Sequence, residues 1–194
     1  AEDTEGIHSA VLCVTLCHPW CAVLQPMHRL PTHSLHLRDE RVRLRPFTEA
    51  DFDQVVEWFA DPEVMYYAEG EENLDYTREE EEIEGIYRGA AEQGALLFII
   101  ETAEGKAIGE TWLQPMNLER GKRQPPDNAW RIDIMIGEKE YWGKRYGRYA
   151  VRLLLRHAFE ALRADRVAAV GVIEYNLRSQ RMFKACGMRK VRRV

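Results

Sequence analysis

Residues 141–148, YWGKRYGR, set two glycines, Gly143 and Gly147, among three bases, Lys144, Arg145 and Arg148, just ahead of an apolar helical pattern. In such a loop, successive backbone N–H groups surround one point, and the start of a helix adds partial positive charge. The chemistry implied is phosphate or other anion binding; an ordinary strand–helix connection is the other reading. Arg145 stands between the glycines. With a negative φ its side chain points outward and adds a charge-assisted contact to a phosphate; with a positive φ it is strained and affinity suffers. Asp133 alternates with apolar residues in RIDIMI (residues 131–136), where a strand would bury it. A carboxylate there is costly without a partner, such as Arg131, or a task.

These residues need a strand, a tight loop and a helix in sequence, and the surrounding pattern supplies them. Residues 41–47 alternate as a half-buried strand does. Thr48 and Asp51 have capping-box spacing for a helix that Asp61-Pro62 ends. A second helix starts at Thr77, with Ile83, Ile86, Tyr87 and Ala90 as its apolar face. Residues 95–101 and 106–113 form a hairpin about Glu104-Gly105. Residues 115–128 are loop by composition, and residues 129–137 are a strong strand. A helix follows on Ala150, Leu153, Leu154, Ala158 and Leu162. Next come a strand over 166–174, a short helix over 176–187 and a last strand over 188–194. The order describes one mixed α/β domain spanning 35–194.

The chain has 194 residues, 45% of them hydrophobic and 30% charged, with a net charge of −5. The charge argues against a general nucleic-acid binder. No apolar run reaches the length of a membrane span, and the expected compartment is the cytoplasm. Residues 1–34 read as a leader outside the fold. They hold Cys13, Cys17 and Cys21, whose four-residue steps match no common zinc or iron–sulfur spacing, so no metal site is expected. The apolar stretch around His18-Pro19 lacks the basic start of a signal peptide.

One helix and one strand beyond the loop comes NLRSQRMFKACGM, residues 176–188. Together the two segments resemble the GNAT superfamily of acetyl-CoA-dependent N-acetyltransferases. Its loop reads Q/R-x-x-G-x-G/A and its later helix N-x-x-(A/S)-x-x-x-(Y/F)-x-K-x-G-F. Trp142 takes the Q/R place, Arg145 the middle Gly and Gly147 the last. Asn176, Ser179, Phe183, Gly187 and Met188 (for Phe) fill the helix motif. The resemblance implies a GNAT fold: α/β, with a mixed central sheet splayed between two strands and about four flanking helices. It implies acetyl-CoA as cofactor. Met135 and Ile136 would offer backbone groups to pantetheine. Trp142, Gly143, Lys144, Arg145, Tyr146, Gly147 and Arg148 would surround the phosphates. Asn176, Ser179 and Phe183 would lie along the pantetheine arm or adenosine side. Many members carry Tyr where this chain has Phe183, as the acid for the departing sulfur. Tyr175 or Tyr149 could substitute, and a thiol with a pKa of about 8.5 leaves with modest help.

The Ile-Asp pair at 132–133 and the acid- and Trp-containing segment 56–72 resemble the aminoglycoside 6′-N-acetyltransferases. In those enzymes that Asp holds or deprotonates the target amine. By this resemblance Asp133 is the catalytic residue, and Tyr66, Tyr67, Glu71, Glu72, Trp130 and Glu174 line the acceptor site with it. Acids dominate between residues 69 and 84, and only bases follow from Arg178 onward. The first block suits a cationic acceptor and the second the coenzyme's phosphates. The leading acceptor is a small cationic amine of the aminoglycoside type, which would make the protein a resistance enzyme. The loop region also resembles the branch that acetylates N-termini of ribosomal proteins. A third reading is an acyl-CoA-binding module without turnover. An Asp133 facing an open cleft favours catalysis; an Asp133 locked in an ion pair with no cleft favours binding only. Family members continue for two strands beyond this motif, and an open sheet edge would favour a homodimer.

Overall fold

The computed structural model of the protein describes residues 29–71, 78–116 and 128–191. The three leader cysteines, Glu72, Thr77, the final residues and most of the 115–128 loop lie outside those residues. Six strands form one sheet in chain order: β1 (Leu37–Arg38), β2 (Val42–Pro46), β3 (Leu96–Thr102), β4 (Ala107–Pro115), β5 (Ala129–Met135) and β6 (Arg166–Ala168). The first five pair antiparallel, and β5 and β6 run parallel. Among the described residues, five α-helices cover the sheet: α1 (Phe52–Phe59), α2 (Pro62–Ala68), α3 (Glu80–Glu92), α4 (Tyr146–Glu160) and α5 (Leu177–Ala185).

Strand alternation divides the core in two. Phe98 and Ile100 of β3 point into one layer with Val151, Leu154 and Ala158 of α4 and Phe183 of α5. Leu97 and Ile99 point the other way, into a layer with Phe52, Val55 and Trp58 of α1 and Ile83 and Tyr87 of α3. β3 is thus buried on both faces, which explains its continuous apolar run LLFII. The capping pair forms as its spacing implies, on the 3-10 turn Glu49–Asp51 that leads into α1: the Thr48 N–H donates to Asp51 Oδ2 at 2.8 Å. Arg45 holds the same carboxylate from β2 through two bonds of 2.6 and 2.8 Å, tying helix entry to sheet.

Four expectations change. Asp61-Pro62 ends α1 but also begins α2. The Asp61 side chain accepts from the N–H groups of Glu63 and Val64, and Pro62 fills the first turn, where a missing N–H costs nothing. β6 stops at Ala168 rather than running to 174, and residues 188–191 form no strand. The fold also reaches back before residue 35. Leu30 is buried in the α1–α3 layer, and its N–H donates to Glu49 at 2.9 Å.

The end of β5 is fixed by close packing. A Cβ on Gly137 would come within 2.1 Å of the Trp58 indole, so the strand exit lies flat against that ring. The Trp58 Nε1–H then donates to Glu138 at 3.0 Å. Gly137→Ala should therefore destabilise the protein by about 1–3 kcal/mol, the usual cost of overpacking. Urea unfolding checks this, and combining it with Trp58→Leu should recover part of the loss.

Candidate active site

β5 and β6 pair only from Ala129–Arg166 through Arg131–Ala168. Beyond that point the chains part. Among the described residues, no backbone hydrogen bond joins residues 132–136 to residues 169–172. A cleft of about 300 Å³ opens along the gap. Ile132 to Met135 form one wall and Ala169 to Ile173 the other, with Asn176, Ser179 and Phe183 of the α5 region at one side. Phe59, Met65, Tyr67 and Tyr87 bound it from the α1–α3 layer. An unpaired strand edge presents a row of donors and acceptors. An extended chain carrying amides, as pantetheine does, fits that edge.

The loop lies at one end of the gap. Gly143 has φ +74°, and a Cβ at that position would meet nothing within 4 Å, so backbone conformation is the reason for that glycine. Arg145 also has a positive φ, +70°, as the residue preceding α4. The strained alternative thus applies, at about 1–2 kcal/mol for a residue with a Cβ. Gly147 is glycine for a different reason. It lies inside α4, where a Cβ would meet Met182 Sδ at 3.2 Å and Ile134 at 3.6 Å. The first intrahelical bond runs from the Tyr149 N–H to the Arg145 carbonyl, so the amides of Tyr146, Gly147 and Arg148 precede the ladder. Arg148 has a buried Nε with no partner among the described residues. Lys144 extends over the Tyr141 ring, 5.5 Å from its centre. These groups fit an anion such as the coenzyme's phosphates. Trp142 has a defined task as well: its indole N–H donates to the Ile136 carbonyl at 2.6 Å. That carbonyl is therefore engaged, although the resemblance would leave the backbone groups of both Met135 and Ile136 open. Asn176 caps α5 by accepting from the Ser179 N–H at 3.0 Å and donates to the Tyr67 carbonyl at 2.8 Å.

The acidic side of the cleft contains a residue outside both motifs. Glu110 of β4 is 7% exposed and lines the cleft. The Trp112 Nε1–H donates to it, and the buried Tyr87 hydroxyl lies beside it without meeting hydrogen-bond geometry. Burial pushes the Glu110 carboxyl up to about 7; Tyr87 and Trp112 offset part of that, and the Asp133 charge adds to it. The same surroundings hold the Tyr87 phenol well above its ordinary range, burial first and the Glu110 charge second. Asp133 also lines the cleft, opposite Trp112 in the β4–β5 register. Its Oδ2 accepts from both Arg131 Nε and Gln114 Nε2, each at 2.7 Å. The ion pair and the open cleft are therefore both present. Glu69 and Arg78, paired with each other, complete the charged lining.

Other expected acceptor residues lie elsewhere. Tyr67 lines the cleft, whereas Tyr66 stacks on Tyr175 with ring centres 4.5 Å apart. Trp130 packs against the α4 layer, and its indole donates to Asn128 at 2.7 Å, so it is no part of the cleft wall. Glu71 and Glu174 are exposed outside the lining. Glu72 lies outside the described residues. Neither substitute for Phe183 is placed as an acid on the cleft. The Tyr175 hydroxyl donates to the Tyr66 carbonyl at 2.9 Å, and the Tyr149 ring carries Arg41 over its face at 5.5 Å. A signal for Glu110 does exist in KAIGETWL: an acid between apolar strand positions, the same feature that marks Asp133.

Residues 41–189 match the family described as acetyltransferase (GNAT) domain. Solved structures share the architecture. A GNAT-family acetyltransferase from Bacillus anthracis is 21% identical, with 80% of this chain and 84% of that one covered at a TM-score of 0.61. A spermidine N-acetyltransferase from Vibrio cholerae, solved with CoA and spermine, is 20% identical over 77% of this chain and 81% of that one, TM-score 0.61. An aminoglycoside acetyltransferase solved with coenzyme A is 20% identical over 75% and 83%, TM-score 0.62. At these identities the likeness establishes the fold, and the match over 41–189 establishes more: the chain belongs to the GNAT acetyltransferase family.

Proposed function

We propose that this acetyltransferase transfers acetyl from acetyl-CoA to a primary amine of a small cationic molecule, with an aminoglycoside as the first acceptor to try. The observation that carries the reading is Glu110, a buried carboxyl on the cleft whose pKa of about 7 suits a general base. When bound, acetyl-CoA supplies an acetyl group activated as a thioester. An amine enters the cleft protonated and must lose a proton before it can attack. Glu110 accepts that proton. Asp133, with Oδ2 clamped by Arg131 and Gln114, presents its other oxygen to a cationic group and positions the acceptor. The loop amides and Arg148 hold the phosphates, and the unpaired edge of β5 orients the pantetheine arm. The apolar walls exclude water from the reacting atoms. Glu110 replaces Asp133 as the proposed base, and a usable base on the cleft weighs against the non-catalytic reading.

Thiol release from acetyl-CoA should be measured with kanamycin, spermidine and a basic N-terminal peptide. Turnover with kanamycin or spermidine is expected; turnover with the peptide alone would replace the small-amine reading by N-terminal acetylation. Glu110→Gln should lower kcat about 100-fold or more, the usual worth of a general base. The unaltered protein's rate should rise with pH through about 7, following ionisation of Glu110, and the variant should lose that inflection.

Stability should run the other way. The folded pKa of Glu110 lies above its unfolded value, so its contribution is full below about 4.5 and is lost as pH rises through about 7. Urea unfolding of Glu110→Gln against the unaltered protein should therefore favour the variant increasingly from pH 5 to pH 8. Asp133→Asn should raise the acceptor KM about tenfold, the scale of one charged contact, while calorimetry finds coenzyme A binding unchanged.

A further inference from the structure

Arg178 lies in the first turn of α5, a position where the helix dipole disfavours a cation. Its guanidinium lies over two aromatic rings, 4.0 Å from the centre of Trp142 and 4.4 Å from that of Tyr67. No ion pair to a carboxylate forms at Arg178 among the described residues. The two rings come from different elements, and Tyr67 is the one that lines the cleft. Trp142 sits on the loop ahead of α4, locked to the strand by its bond to Ile136. Tyr67 sits in the last turn of α2 and lines the cleft. The two rings also meet edge to face at 5.7 Å.

α2 has little other purchase. It has seven residues, and Val64 is its one buried side chain. Its start is pinned by Lys139, which reaches Asp61 at 2.7 Å and Glu63 at 3.3 Å. Its far end is held by Asn176, Tyr175 and the Tyr67–Arg178–Trp142 stack. A short helix with so shallow an anchor belongs to the low-stability part of a fold, where local opening is cheap.

We propose that Arg178 is a positioning residue that latches α2 to the coenzyme-side loop, so that its cation holds the Tyr67 wall of the cleft in place. Its value as an acceptor wall rests on the function proposed above; the latch itself does not. The two ring contacts require a positive charge, which a lysine also supplies and a methionine of similar reach does not.

Amide hydrogen exchange across residues 62–68, with α4 as internal control, tests this on the full chain without any acceptor. Arg178→Met should speed exchange in α2 about tenfold, the scale of one or two cation–π contacts, and leave α4 unchanged. Arg178→Lys, which keeps the charge but not the planar guanidinium, should fall between the Met variant and the unaltered protein. Unchanged exchange in Arg178→Met, or equal loss in both variants, would overturn the latch. Failure of coenzyme A to bind the unaltered protein would count against the proposed function, and the exchange comparison would still decide the latch.

Discussion

A parallel strand pair is normally continued by its ladder, but β5 and β6 separate after Arg131 and Ala168. Everything on the functional side of the molecule depends on that parting. Buried backbone groups need partners, and those along residues 132–136 have none across the gap. The gap is the cleft. It sets the end of β5 against the loop of residues 141–145 and the start of α4, so one surface carries an open strand edge and a helix start whose first amides precede the ladder. Gly109 supports the same arrangement from beneath, since a Cβ there would come within 2.2 Å of the Met135 carbonyl. β4 thus packs hard against the strand end that forms the wall.

Glu110 is the energetic exception in an otherwise apolar layer. Its neighbours are Tyr87, Trp112 and, across the register, Met135. Taking a carboxylate out of water is costly unless it is paired or neutral, and no cation forms an ion pair with Glu110 among the described residues. The group responds by holding its proton more tightly. Asp133, more exposed and bonded to Arg131 and Gln114, has the support an ionised carboxylate needs. Two acids on one cleft therefore have different surroundings: Glu110 is buried with no cation paired to it among the described residues, and Asp133 is bonded to Arg131 and Gln114.

β2, β4, β5, α3 and α4 are legible in the sequence because each carries a period that burial enforces, and β3 because its apolar run is buried on both faces; the two-residue β1 carries no such signal. The loop is legible from Gly143, Lys144 and Arg145, but the sign of φ at Arg145 is not, since an arginine pattern is the same in either conformation. α2 is hidden because Asp-Pro is both a stop and a start; the capping role of Asp61 separates the two only through its acceptor bonds. β6 looks longer in the sequence than it is, because residues 169–173 keep strand-like composition after their pairing has ended. Trp130 and Glu174 look like site residues by type, but their places in the fold take them elsewhere. Trp130 lies opposite Pro115 at the far end of β5, and Glu174 is exposed beyond the cleft lining.

The proposed chemistry turns on Glu110 holding its proton to near-neutral pH inside the cleft. Carbon-13 NMR of protein labelled at the glutamate carboxyl carbons reads that property directly. One glutamate signal should titrate with a midpoint near 7 and be absent from the spectrum of Glu110→Gln. If every glutamate carboxyl titrates with a midpoint below about 5, in the ordinary range, Glu110 is an ordinary acid and cannot be the base assigned to it.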